Sequence, residues 1–328
     1  MSNRAKVIAI TFIILLASAG VAAQSGGVSL KPILKPGQEA RYSLSGSVDT
    51  QVTPAGANGL GGTQHRELNA TLLLRAGVAV PPAANQPASS KVGATVIGTG
   101  LPYSSETVVA DAGGPGKDVV YYEAVIEALD VRVTLNGVDS PSNARSAVGQ
   151  KISFALDPAG HMLRCAVPAE AARAGLADLL FSLLGWAPAT PLEVGQTWGN
   201  PPASHPLDYS YISAAAMSDV PKYTKTAYTL SALNGSRAVV DGAITLRQDG
   251  ASMLQIPAVP AKVNLIASGN GTTRIEYDVA SSRLASAVSE SLLKGRVVNI
   301  QPTREGEKMQ PREGALVETA KFSVKLVQ

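Results

Sequence analysis

The sequence predicts a mainly β protein: long antiparallel strands in curved sheets or half-barrels, in two related halves, with one leucine-rich helix between them. Three observations point there. First, Ile152, Phe154 and Leu156 alternate with Lys151, Ser153 and Ala155, the period of a strand with one buried face. Asp157-Pro158-Ala159-Gly160 then supplies turn chemistry, and residues 162–167 read as the returning strand. Second, a degraded copy of this hairpin spans residues 271–290, with Ile275, Tyr277 and Val279 in the apolar positions and Ser281-Ser282 at the turn. Third, Gly37-Gln38 and Gly195-Gln196 open two stretches of near-equal length. Residues 37–168 number 132 and residues 195–328 number 134, and a fixed spacing of landmarks is the mark of an internal repeat.

Taken in order, residues 40–48 read as a first strand after the turn Lys35-Pro36-Gly37-Gln38. The glycine-rich run 53–63 reads as a loop, and 66–80 as a long strand with Leu68, Ala70, Leu72 and Leu74 on one face. Segments 92–97 and 107–110 are short strand candidates between loops at 81–90 and 111–117. Residues 119–135 read as a strand despite a helix-like middle, because β-branched and aromatic residues flank it. After the central hairpin, Leu176, Leu179, Leu180, Leu183 and Leu184 form an apolar stripe at helical spacing over 169–184. Pro168 suits the start of that helix and Gly185 its end. In the second half, 198–206 reads as a proline-rich loop, and 207–212 and 222–230 as strands. Asn234-Gly235 is a hairpin turn, followed by a strand at 238–246. A loop at 250–260, a strand at 262–267, the second hairpin, a long strand at 283–300, a charged turn at 302–314 and a final strand at 315–327 complete the chain.

The domain division that follows is a signal peptide at 1–23, a first β lobe at 24–168, a helix and connector at 169–192, and a second β lobe at 193–328. Arg4 and Lys6 precede an apolar run at 7–19 and small residues at 21–23, the pattern of an export signal cleaved near Ala23. The run is shorter than the roughly 20 residues that span a bilayer. Export to the periplasm or the extracellular space is expected, with no membrane span after cleavage. Removing Arg4 and Lys6 lowers the formal net charge from +3 to +1, and no dense basic block remains, which argues against nucleic acid as a partner. The one cysteine, Cys165, has no partner for an internal disulfide and falls at a position read as core.

Few residues suggest chemistry. Gly116-Lys117 is followed by Asp118 where a phosphate loop needs Ser or Thr, and Gly269-Asn270-Gly271 lacks the third glycine of a dinucleotide loop. His65, His161 and His205 are far apart, so neither a metal site nor a catalytic triad is legible, and no cofactor is expected. Aromatic residues make up only 5% of the chain, yet Trp186, Trp198, Tyr209, Tyr211 and Tyr223 gather near the start of the second half. Aromatic side chains line small-molecule pockets, so Trp198, Tyr209 and Tyr211 are the candidate ligand-binding residues, and an inter-lobe core is the competing account of the group.

Gly195-Gln196-x-Trp198, the hairpin residues Phe154, Leu156, Asp157 and Gly160, and Asn234-Gly235 with Ala238 together resemble internally duplicated bacterial envelope proteins of unknown function. The likeness implies no catalytic residues. The order of strands and helix also resembles periplasmic lipoprotein carriers, whose curved sheet cups an apolar ligand. The functional expectation is a non-enzymatic exported envelope protein binding an apolar or lipid-like ligand in a curved-sheet cavity. The alternatives are a structural or protein-interaction module of the envelope, and a hydrolase whose site is assembled from distant residues.

Overall fold

A computed structural model describes residues 27–30, 34–56, 59, 61–77, 120–140, 142, 144–156, 162–166, 168, 171, 176, 186–188, 190–199, 222–254, 261–299 and 312–327. The described chain is dominated by strands: β1 (Glu39–Pro54), β2 (Gly62–Ala76), β3 (Val120–Leu135), β4 (Val138–Ser140), β5 (Lys151–Leu156) and β6 (Met162–Ala166), then β7 (Thr197–Gly199), β8 (Lys222–Asn234), β9 (Arg237–Leu254), β10 (Ala261–Asp278), β11 (Arg283–Asn299) and β12 (Glu313–Val327). A 3-10 turn, Ala144–Ala147, precedes β5.

All strands belong to one open antiparallel sheet in the order β6-β5-β3-β2-β1-β12-β11-β10-β9-β8-β7, with β4 paired to β3. Strands β1 to β6 therefore form one flank and β7 to β12 the other. The flanks meet where β1 pairs with β12, a ladder from Arg41 opposite Val327 to Pro54 opposite Gly314. Across that seam Ser45 Oγ and Ser323 Oγ are hydrogen-bonded at 2.7 Å.

The strands form where alternation and β-branched residues favour them, and bulges absorb the mismatches. In β3 an extra residue, Glu127, sits where the register against β2 shifts. This is the stretch with the helix-like middle. The bulge turns Glu127 outward to meet Arg41, with Arg41 Nε 2.7 Å and a terminal guanidinium nitrogen 2.8 Å from the two carboxylate oxygens. That bidentate bond raises the Arg41 pKa and lowers that of Glu127.

Several strands are longer than the sequence implies. β1 runs through to Pro54, β9 continues to Leu254 where a loop is expected from 250, and β10 is one strand across the predicted division between 262–267 and the second hairpin. The physical reason is shared. Glycine reads as a break in a sequence, but Gly250, Gly269 and Gly271 are each paired in a ladder here. β7 overlaps the start of the stretch 198–206, which reads as a proline-rich loop. The segments 92–97, 107–110 and 207–212 and most of 302–314 lie outside the described residues. So does most of the predicted helix, of which Ala171 and Leu176 are described; both have helical backbone and are fully buried.

One turn recurs three times. In Lys35-Pro36-Gly37-Gln38 the Gln38 N–H donates to Lys35 O, Gly37 has φ 84°, the Gly37 N–H donates to Ala76 O, and the Ala76 N–H donates to Gln38 O. At Gly195-Gln196 the same four features recur, with φ 91° and Leu230 as the neighbouring residue. At Gly149-Gln150 they recur again, with φ 85° and Ile126. In the first and third copies in chain order the glutamine Oε1 also accepts from the backbone N–H three residues earlier, Lys35 and Glu193, at 2.9 Å each. This is the geometry of a type II turn, with glycine where φ must be positive. It delivers the chain into β1, β5 and β7.

Candidate functional site

The register places one residue of every pair on the inner face of the sheet. There Tyr42 and Leu44 of β1 join Leu72, Ile126, Ile152, Leu230, Val240, Ile275 and Val324 in a large buried cluster. Leu30 and Leu34 from the chain before β1, together with Trp186 and Leu192 from the chain before β7, fill its base. A bridge between Val28 and Leu192 ties these two segments. Fully burying each such side chain is worth roughly 1.5–3 kcal/mol. A second, smaller cluster lies towards the other end of the same face: Val52, Leu246, Val263, Leu265, Ala267, Leu293, Val297 and Leu316.

This face is concave. A Cβ on Gly269 would overlap the Leu292 carbonyl, one on Gly271 the Glu290 carbonyl, and one on Gly295 the Ile266 carbonyl. Only glycine allows the backbones of β10 and β11 to approach so closely, and the sheet creases there. Curvature also brings Tyr42 of β1 towards β10 and β11. Burial pushes its hydroxyl pKa up to about 12, opposed by the charge of Arg283 and by a hydrogen bond from the Leu284 backbone.

Between the two apolar clusters many inner-face positions are half-buried. Successive rows across the strands carry Gly46, Phe322, Ser289 and Thr273 between the buried Leu68 and Gly242, then Val48, the buried Ala320, Ser291, Gly271 and Ile244. Their side chains are mostly small, so the rows form a trough with buried aliphatic walls. From β1 to β9 it crosses four strand spacings, about 19 Å along the floor. One end is polar. Thr50, Arg66 and Glu318 are buried there at 3%, 8% and 5% exposure. Gln64 and Glu318 both lie opposite Thr50 in register. Thr50 Oγ1 donates to Glu318 Oε2 at 3.5 Å, whereas Gln64 Oε1 is buried with no hydrogen-bond partner.

Of the predicted ligand-binding residues, Trp198 is partly buried on β7. Its indole N–H donates to Trp186 O at 2.7 Å, and its ring stacks on Tyr228 with centroids 5.5 Å apart. Trp186 in turn meets Tyr277 edge-on at 5.7 Å. Trp186 and Trp198 of the predicted group thus support the base of the large cluster. Tyr209 and Tyr211 lie outside the described residues. The trough residues carry no sequence signal of their own, because serine, threonine and glycine in a strand read as weak β formers.

Cys165 is on β6 opposite Phe154. His65 is on the outer face, with Nδ1 2.6 Å from Asp49 Oδ1 and Nε2 3.3 Å from Glu67 Oε1. The hydrogen bond to Asp49 is the main cause of its raised pKa. Both ring nitrogens of His65 face carboxylates. His161 and His205 lie outside the described residues. Among the described residues, no three His, Cys, Asp or Glu side chains are grouped to hold a metal ion, and no helix is long and apolar enough to cross a membrane.

No known protein family matches the chain, and no curated protein does. Among solved structures, one described as showing lipid–protein interactions in lipovitellin aligns with 90% of this chain at 11% identity and a TM-score of 0.45. The alignment spans 26% of the lipovitellin chain, so this chain matches about a quarter of its length. An outer membrane channel from Pseudomonas putida F1 aligns with 90% of this chain and 97% of its own, at 9% identity and a TM-score of 0.19. At these identities and scores, neither likeness bears on activity.

Proposed function

We propose that this chain is a non-enzymatic, exported envelope protein that holds an apolar or lipid-like ligand across the concave face of its sheet. The observation that carries the reading is the half-buried trough between two buried aliphatic clusters. A sheet that served only as a core would place large side chains in those rows. Here Ser289, Ser291, Thr273 and Gly271 occupy them, beside Phe322, Val48 and Ile244. Such a surface is apolar on its walls and open on its floor, which suits a long, thin, flexible ligand.

Export rests on residues 1–23, and N-terminal sequencing of the mature protein is expected to begin at Gln24. The reading keeps two related lobes, 24–168 and 193–328, and the Gly-Gln turn near each opening supports it. Protein purified from its host without detergent is expected to carry a lipid-like molecule, visible as an added mass by native mass spectrometry and recovered by organic extraction. Protein with no added mass that also fails to take up acyl ligands in solution would sink the reading.

A further inference from the structure

The outer face of the sheet offers a second surface, independent of the trough. The crease at Gly269, Gly271 and Gly295 bends β10 and β11 inward, so the outer positions behind it form the crest of a ridge. Register places Arg296 between Ala315 and Ile266, Lys294 between Val317 and Ser268, and Leu292 between Thr319 and Asn270. Ile266 is 43% exposed, Val317 37%, and Leu292 is half-buried. Aliphatic side chains and cations thus alternate along the crest.

Its two cations differ from others on the same face. Lys321 lies 3.3 Å from Glu290, Arg274 3.2 Å from Asp241, and Arg247 3.2 Å from Asp249. Lys294 and Arg296 are exposed and have no carboxylate at ion-pair distance among the described residues. The nearest carboxylates in register are Asp249, opposite Ile266 and held by Arg247, and Glu313, opposite Val298 at the rim. We infer that this crest docks on an anionic lipid bilayer. Unpaired cations beside aliphatic tips suit phosphate groups lying over hydrocarbon: Lys294 and Arg296 stay with the phosphates while Ile266 and Val317 enter the acyl boundary. A protein partner is typically held through aromatic or arginine anchors seated in pockets. The crest is convex, and the outer positions of β10, β11 and β12 carry no aromatic residue. Docking through this face leaves the trough, on the other face, free to hold its ligand.

The test is co-sedimentation of the full-length mature protein, at low ionic strength, with vesicles of phosphatidylcholine alone and of phosphatidylcholine mixed with phosphatidylglycerol. The anionic vesicles are expected to bind at least about tenfold tighter, and the difference to collapse in about 0.5 M salt, where screening is short-ranged. Lys294→Gln combined with Arg296→Gln is expected to lose at least about tenfold on the anionic vesicles, since each basic residue at such a surface is worth about fivefold. Arg132→Gln combined with Arg145→Gln removes the same charge from exposed sites on the other flank and is expected to stay within about threefold. Equal binding to both vesicles, binding to neither, or equal loss from the two pairs of substitutions overturns the assignment. Retention on soluble polyglutamate with none on the anionic vesicles also overturns it, and is the result an acidic protein partner gives. Each of these outcomes leaves the trough reading intact, because acyl-lipid uptake is measured separately and on the opposite face. The wild-type vesicle comparison stands by itself if either variant does not fold.

Discussion

Single residues show how closely the local backbone follows the sequence. Gly37, Gly149 and Gly195 all have positive φ, and a Cβ at any of them would touch nothing within 4 Å. The cost of replacing them is therefore backbone strain alone. Gly37→Ala, Gly149→Ala and Gly195→Ala are each expected to lose about 1–2 kcal/mol in urea denaturation. A loss near zero would show that the turn tolerates another conformation. The pairing of Gly37 with Gly195 is legible in the sequence, and so is the hairpin that begins at Gly149. That all three make one turn is not, because the shared feature is a hydrogen bond to a neighbouring strand distant in sequence. His65 makes a second residue-scale prediction. Its folded pKa is raised above the unfolded value by Asp49. The stabilisation is therefore fully present below about pH 6.5 and is lost as pH rises through the folded pKa. The pair is on the surface, so the effect is below about 1 kcal/mol. Thermal unfolding followed between pH 5 and pH 9 is expected to show a small fall over that window, about 2–4 °C or less. His65→Gln is expected to remove it. An identical fall in the variant would assign it to other groups.

At the scale of elements, the crease in β10 and β11 shapes the sheet. Gly269 and Gly271 fall at a predicted break between strands, and residues 250–260 read as a loop, because glycine weakens a strand considered by itself; Gly295 lies inside the predicted strand 283–300. Their value lies in what they meet, namely the backbone of the adjacent strand. That contact exists only after pairing, so it is invisible to local reading. Gly295→Val forces β10 and β11 apart and is expected to cost at least about 1–3 kcal/mol, read as a lower urea midpoint. A variant as stable as the parent would mean that the crease is not needed. The turn from β10 to β11 spans residues 279–282, two residues more than Ser281-Ser282 suggests, so Val279 lies in the turn. Asp278 accepts from the Ala280 N–H at 3.0 Å and from the Ser281 hydroxyl at 2.8 Å, which lowers its pKa. Ser282 follows with φ 55°. The bulge at Glu127 explains why a stretch with helical spacing still forms a strand, since one extra residue shifts the alternation midway.

At the scale of the whole molecule, alternation and turn residues made a mainly β, antiparallel fold legible, along with most strand positions. They did not reveal which distant strands pair. The β1–β12 seam joins residues such as Ser45 and Ser323, and nothing local specifies that match. The rows of the candidate site were not legible for the same reason. Trp198 stood out by residue type and proves to support the core base, whereas the trough emerges only when β1, β9, β10, β11 and β12 lie side by side. The most direct test of the trough as a ligand site is acyl-lipid binding by Ser291→Trp compared with the parent protein, alongside their unfolding midpoints. Ser291 is half-buried on the trough floor, so the indole fills the space a chain would take. The account predicts at least about a tenfold loss of affinity with little change in stability. Unchanged affinity in a folded Ser291→Trp protein would contradict it.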